Sequence, residues 1–288
     1  MIQIGTIKET KAILDKYNLH AKKKFGQNFL VDPNILDRIV ESAEVDDSDT
    51  VIEIGPGIGA LTQRILESAK NVIAYEIDPQ MVEILNDNFQ GAENLEIIHK
   101  DFLKADLQSW KKIEKIKMVA NLPYYITTPI LFHILESEVA FQSITTMMQK
   151  EVGERLTANV GTKDYGALTL MIEYFCDVQM KLKVPNTVFY PSPNVDSVVM
   201  QLTPKKNFEK FKYQAELFKL IDASFVMRRK TLINNLQTYF GKDNVDKEKL
   251  LTSFEKINIE PSVRAERLTL DDFKLLTEQL IAEGFSFY

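Results

Sequence analysis

The chain has 288 residues, 45% of them hydrophobic, which is enough apolar material to core one large domain, or a large one and a small one. A formal net charge of −6 and a pI near 5.3 exclude a protein that coats nucleic acid non-specifically, because phosphate binding needs clustered Lys and Arg. The single cysteine rules out a disulfide framework, and His20, His99 and His133 lack the Cys or carboxylate spacing of a zinc hydrolase, so no metal is expected.

The N-terminal stretch MIQIGTIKETKAILDKY is amphipathic and charged, without the apolar run of a signal peptide or membrane span. A reduced, cytoplasmic setting without membrane contact is expected. Lys22, Lys23 and Lys24 form a first local basic cluster. From residue 50 short β-branched runs alternate with helical segments: VIEI at 51–54, VIAYEI at 72–77, LEIIH at 95–99 and MVAN at 118–121, with helices from about 60 and over 79–89. Four βα-type units in a row predict a doubly wound α/β sheet. A helix near 128–137, the apolar run ITTMM at 144–148, a helix near 165–175 and strands at 178–184 and 197–203 follow. PNTVFYPSPN, between those strands, reads as an ordered loop because its prolines cannot join a ladder regularly. Cys176, inside MIEYFC, reads as a buried core thiol.

Composition shifts near Thr203, and LFKLIDASF, LINNLQTYF, LLTSFEKI and FKLLTEQLIAE carry helical periodicity. The expected division is a catalytic domain over 1–205 and a helical domain over 206–288, with the terminal GFSFY frayed. Two more basic clusters, Lys111, Lys112, Lys115 and Lys117, and then Arg228, Arg229 and Lys230, are candidate RNA contacts, although charge runs of this length are more often solvated faces.

The segment EIGPGIGALT sets Gly55, Gly57 and Gly59 between a strand and a helix, where glycine permits a tight turn and close approach of a ligand, and the helix start can meet an anionic group. A tight turn without ligand would look the same. Glu76, 21 positions after Gly55, can accept from ribose hydroxyls. Asp101 can accept from an adenine amine, with Ile77 and Phe102 suited to sandwich the base, though strand-end solvation would explain either acid alone. Jointly, these features resemble the class I S-adenosylmethionine methyltransferases.

Asn121-Leu122-Pro123-Tyr124 is the most specific motif. An exocyclic adenine amine is a poor nucleophile, since its lone pair is delocalised into the ring. The Asn121 amide oxygen and the Leu122 carbonyl can accept from its two N–H groups, while Pro123 fixes φ and aims that carbonyl. Tyr124 offers a face to a flipped base. Such a transfer needs orientation more than acid–base work, so the lack of a catalytic His is expected.

With GQNFL at 26–30, EIGPGIGALT, Glu76, DFL at 101–103, NLPYYITTPI and VFYPSPNVDSVV in this order, the chain resembles the small-subunit rRNA adenine N6,N6-dimethyltransferases, the bacterial enzymes whose loss confers kasugamycin resistance. The resemblance spans about 20–203 and continues more weakly through SFVMRRKTLINNL. It implies a Rossmann-like, mostly parallel seven-stranded sheet with a small all-helical C-terminal domain. It also implies a segment over about 20–35 that covers the cofactor, which makes Asn28 and Leu30 binding residues. Gly55, Glu76, Asp101 and Asn121 fall to S-adenosylmethionine, and Phe189 to the opposite face of the target adenine. The implied substrate is two adjacent adenosines in the 3′-terminal hairpin loop of 16S rRNA within an assembling small subunit, acted on by a monomer. A 23S rRNA methyltransferase of the macrolide-resistance type typically reads NIPY and is more basic. A DNA adenine methyltransferase generally carries an acidic first residue and two prolines in this motif. A non-catalytic assembly factor would not need an intact site.

Overall fold

The computed structural model describes residues 3–19, 27–241 and 247–288. Lys22, Lys23 and Lys24 lie outside the described residues, as does Gly26 of GQNFL. Helix α1 (Ile7–Lys16) begins at Thr6, whose hydroxyl accepts from the Glu9 amide, and buries Ile13 and Leu14. The strand β1 (Phe29–Leu30) leads into α2 (Pro33–Ala43), where the Asp32 carboxylate caps the amides of Asn34 and Ile35 and Pro33 presets the first turn. Then β2 (Thr50–Ile54), α3 (Ala60–Leu66), β3 (Asn71–Glu76), α4 (Pro79–Asn88), β4 (Leu95–His99), β5 (Ile116–Asn121), α5 (Thr127–Leu135) and β6 (Phe141–Gln149) alternate. The chain continues through α6 (Lys150–Leu156), α7 (Ala167–Phe175), β7 (Cys176–Val184), β8 (Phe189–Tyr190) and β9 (Ser197–Pro204). Helices α8 (Gln214–Phe225), α9 (Leu232–Phe240), α10 (Lys247–Lys256) and α11 (Leu270–Ala282) complete it. Among the described residues no helix is long and apolar enough to cross a membrane.

Seven strands form one sheet in the order β4-β3-β2-β5-β6-β9-β7, with β4, β3, β2, β5 and β6 parallel and β9 antiparallel to β6. This is the expected mostly parallel α/β architecture. Strand β2 is buried at every residue because it is central and has helices over both faces. The strand order reverses between β2 and β5, leaving a crevice at their carboxyl ends.

Two compact units are present: Met1–Gly153 with Val178–Pro204, and Glu154–Asp177 with Lys205–Tyr288. The segment Glu154–Asp177 therefore groups with the helical unit, whereas a boundary at 205 puts it in the first. Its helix α7 buries Leu170, Ile172 and Phe175, and the Tyr165 hydroxyl donates to the Leu268 carbonyl at 2.9 Å, ties that no composition shift announces. The core of this unit comprises Phe254, Phe273, Leu217, Leu220, Leu236 and their neighbours.

Three other expectations are corrected. The Pro-rich loop does join a ladder: Phe189 pairs with Leu30 and Tyr190 with Phe29. The terminal GFSFY is docked, with Phe285 and Phe287 against Phe240 and the Tyr239 hydroxyl bonded to the Tyr288 backbone. Lys117 is no surface cation, because its ammonium is 2.8 Å from the buried Asp49 carboxylate and donates to the Glu44 carbonyl. Cys176 is buried as expected, and burial pushes its thiol up to about 12.

Gly59, at φ 92, begins α3, and a Cβ there would run into the Phe89 ring. Gly59→Ala therefore combines backbone strain with overpacking, and chemical denaturation is expected to register a loss of roughly 2–4 kcal/mol.

Candidate active site

Parallel pairing aligns the last residues of the strands. Ile54 lies beside Tyr75, Glu76 beside His99, and Asn121 ends β5 on the same edge. The loops that leave this edge, joined by residues 27–30 and Phe189, line one open cavity of about 1230 Å³, mouth included. Around it stand Asn28, Leu30, Gly55, Gly57, Glu76, Ile77, Asp101 and Phe102, and also Asn121, Leu122, Pro123, Tyr124 and Phe189. Gly59 does not line this cavity, whereas the other residues singled out for cofactor or target adenine are brought to the same place.

Gly55 and Gly57 carry positive φ values of 67° and 58°, which let the turn bend back over the sheet edge. The turn is held by Glu76. Its carboxylate, 6% exposed, accepts from the amides of Ile77 (2.8 Å), Asp78 (2.9 Å) and Gly57 (3.2 Å). Burial raises the Glu76 pKa, and the three backbone donors work against that rise. The residue therefore shapes the loop as well as facing the cavity. Asp78, itself buried, caps α4 and accepts from the Gln27 side-chain amide at 3.1 Å, which ties the start of the 27–30 segment to the end of β3.

Asp101 has a structural task too, since it accepts from the Leu103 amide at 3.1 Å and opens a short 3-10 turn. Phe102 is 4% exposed and locked by edge-on contacts to Tyr75 and His133, while Ile77 is 48% exposed at the mouth. After β5 the Pro123 carbonyl accepts from the Ile126 amide (3.1 Å) and the Thr127 hydroxyl (3.2 Å). Those bonds fix the turn that carries Asn121 and the Leu122 carbonyl, while the Leu122 side chain is 1% exposed and belongs to the core. The Tyr124 and Ser197 hydroxyls lie 2.7 Å apart, and burial raises the phenol's pKa.

Arg228, Arg229 and Lys230 are exposed in the helical unit between α8 and α9, where Arg228 donates to the Lys163 and Tyr165 carbonyls. They do not line the cavity.

Sequence reasoning passed over Glu53. This strand residue lines the cavity at 1% exposure, and its Oε2 has no hydrogen-bond partner among the described residues. Burial pushes its carboxyl up to about 8, the Thr62 hydroxyl beside it opposes the rise, and the Glu76 charge adds to it. An acid inside an otherwise apolar buried strand was the available signal.

Two outcomes follow. Glu76→Ala removes an acceptor from three amides, so thermal unfolding and cofactor titration should each register a loss of roughly 1–3 kcal/mol. For Glu53, the folded chain keeps a proton between the ordinary value of 4.5 and about 8 that the unfolded chain releases, so stability falls as pH rises through that window. Glu53→Gln should flatten this slope, with the variant's advantage in denaturant midpoint large at pH 8 and small at pH 5.

Comparison with known proteins places these features in a family. The family model described as ribosomal RNA adenine dimethylase matches residues 18–280. A protein named ribosomal RNA small subunit methyltransferase A from Ligilactobacillus salivarius is 48% identical, over 99% of this chain and 98% of that protein. Its namesake from Leuconostoc mesenteroides is 50% identical over 96% and 95%. Among solved structures, a dimethyladenosine transferase from Plasmodium falciparum superposes with a TM-score of 0.74 at 30% identity, covering 89% of this chain and 98% of that one. The 23S rRNA methyltransferase ErmE gives 0.65 at 26% identity, covering 88% and 100%.

Proposed function

This chain belongs to the ribosomal RNA adenine dimethylase family, and on that premise we propose that it dimethylates N6 of two adjacent adenosines in the 3′-terminal hairpin loop of small-subunit rRNA. It is an S-adenosylmethionine-dependent methyltransferase acting on adenine in ribosomal RNA. The observation that carries the reading is the convergence of the Asn121–Tyr124 turn and the Gly55–Gly57–Glu76 loop on one cavity. We place its action in the cytoplasm, as a monomer, on an assembling subunit. Arg228, Arg229 and Lys230 are the basic group proposed to meet RNA, since they are exposed and the chain as a whole is acidic.

The residues present fit the cofactor. The Glu53 Oε2, without a hydrogen-bond partner among the described residues, offers an acceptor to a buried donor, Gly55 and Gly57 present no side chain to obstruct a ligand, and Ile77 and Phe102 give apolar surface for a base. Asn28, Leu30, Gly55, Gly57, Glu76, Ile77, Asp101, Phe102 and Asn121 would hold it. When bound, S-adenosylmethionine supplies an electrophilic methyl group on sulfur.

The chain's own residues prepare the nucleophile. The Asn121 amide oxygen and the Leu122 carbonyl accept from the two amine hydrogens, drawing the nitrogen out of conjugation with the ring. That pull strengthens as the nitrogen gains positive charge, so it acts on the transition state more than on the bound substrate. Tyr124, anchored through Ser197, supplies one stacking face, and Phe189, held by the β1–β8 ladder, closes the other. The methylated nitrogen then passes its proton to water without a side-chain base, and no metal is needed by this donor set.

Asn121→Ala is expected to slow single-turnover methylation of unmodified small subunits by about 10²–10³-fold and to accumulate monomethyladenosine, read by mass spectrometry. Dimethyladenosine mapped to large-subunit rRNA instead, in cells with but not without the gene, would overturn the substrate assignment. A wild-type rate in Asn121→Ala would overturn the mechanism.

A further inference from the structure

Of the large apolar side chains exposed among the described residues, two line the cavity: Ile77, already assigned to the cofactor, and Tyr125, 63% exposed. Tyr125 adjoins the residues that grip the target adenine, and its ring and hydroxyl contact no aromatic or hydrogen-bonding partner among the described residues. Its neighbour Tyr124 behaves oppositely, half-buried with its hydroxyl on Ser197. An aromatic ring left in water beside a catalytic cavity is a surface waiting for a planar ligand.

The backbone that carries it is stiff. Tyr124 is pinned on one side by Ser197, and on the other the Ile126 amide and Thr127 hydroxyl both donate to the Pro123 carbonyl as α5 begins. The ring thus projects from a fixed turn, with only its own two side-chain torsions to immobilise, so little entropy is lost when something stacks on it.

Resting on the reading of Asn121–Tyr124 as the adenine site, we propose that Tyr125 is a stacking platform for the nucleobase adjacent to the flipped adenosine. A base drawn into the cavity leaves its strand neighbour unstacked at the mouth. Proteins that read single-stranded loops cover such bases with aromatic side chains, a contact that tolerates any base because each has a π-face.

The test uses steady-state methylation of unmodified small subunits by the full chain, with cofactor affinity measured separately by calorimetry. Tyr125→Ala should lower kcat/KM for the subunit by about 10–100-fold. The loss should sit in KM, with kcat and cofactor affinity unchanged. Tyr125→Phe and Tyr125→Trp should rescue binding, while Tyr125→Leu, apolar but not planar, should not. A wild-type kcat/KM in Tyr125→Ala, a Leu variant as good as Phe, or a loss confined to cofactor affinity would overturn the platform. Failure of the unaltered chain to methylate the subunit would instead overturn the reading on which it rests.

Discussion

A parallel ladder puts the carboxyl end of every strand on the same edge, and the rest of this protein follows from that constraint. Because β4, β3, β2 and β5 run together, the loops after Ile54, Glu76, His99 and Asn121 emerge side by side although up to 67 positions separate them in the chain. Reversal of strand order between β2 and β5 opens the crevice between the glycine turn and the Asn121 turn. Neither turn could build a site alone.

Two smaller devices hold that crevice in shape. Glu76 draws three backbone amides onto one buried carboxylate, so an acid that lines the cavity also holds the loop in place. The β1–β8 ladder, extended by the Val31 amide donating to the Val188 carbonyl at 2.8 Å, joins residues 29–31 to Phe189. Residues assigned to the cofactor and to the opposite face of the target adenine are therefore mechanically one piece. Whatever settles Leu30 also settles Phe189.

The buried acids of the cavity wall offer acceptors to hydrogen-donating ligands. Glu53 and Glu76 both lie on its walls, and burial raises the pKa of each. Such carboxyls are costly to charge in a dry wall and become less so when a donor arrives. The exposed basic residues of Arg228–Lys230 belong to the helical unit, and the buried acids of the cavity wall to the sheet unit.

How much was legible beforehand follows from the range of the forces involved. Alternating β-branched runs and helical periodicity are local, so the α/β sheet and the four C-terminal helices could be read directly, and so could Gly55, Glu76 and Asn121, since each stands at a fixed offset from a strand end. Asn28, Leu30 and Phe189 came only through resemblance, because GQNFL and VFYPSPN are 160 positions apart and nothing local says that they pair. Tertiary structure alone decided that Glu154–Asp177 packs with the helical unit, that GFSFY docks on Phe240 and that Lys117 is buried against Asp49. It alone showed Glu53 in the cavity wall, with an Oε2 that meets no hydrogen-bond donor among the described residues, and Tyr125 as an exposed ring lining the same cavity. Burial and partnership are properties of what packs around a side chain, and a sequence lists neighbours along the chain, not through space.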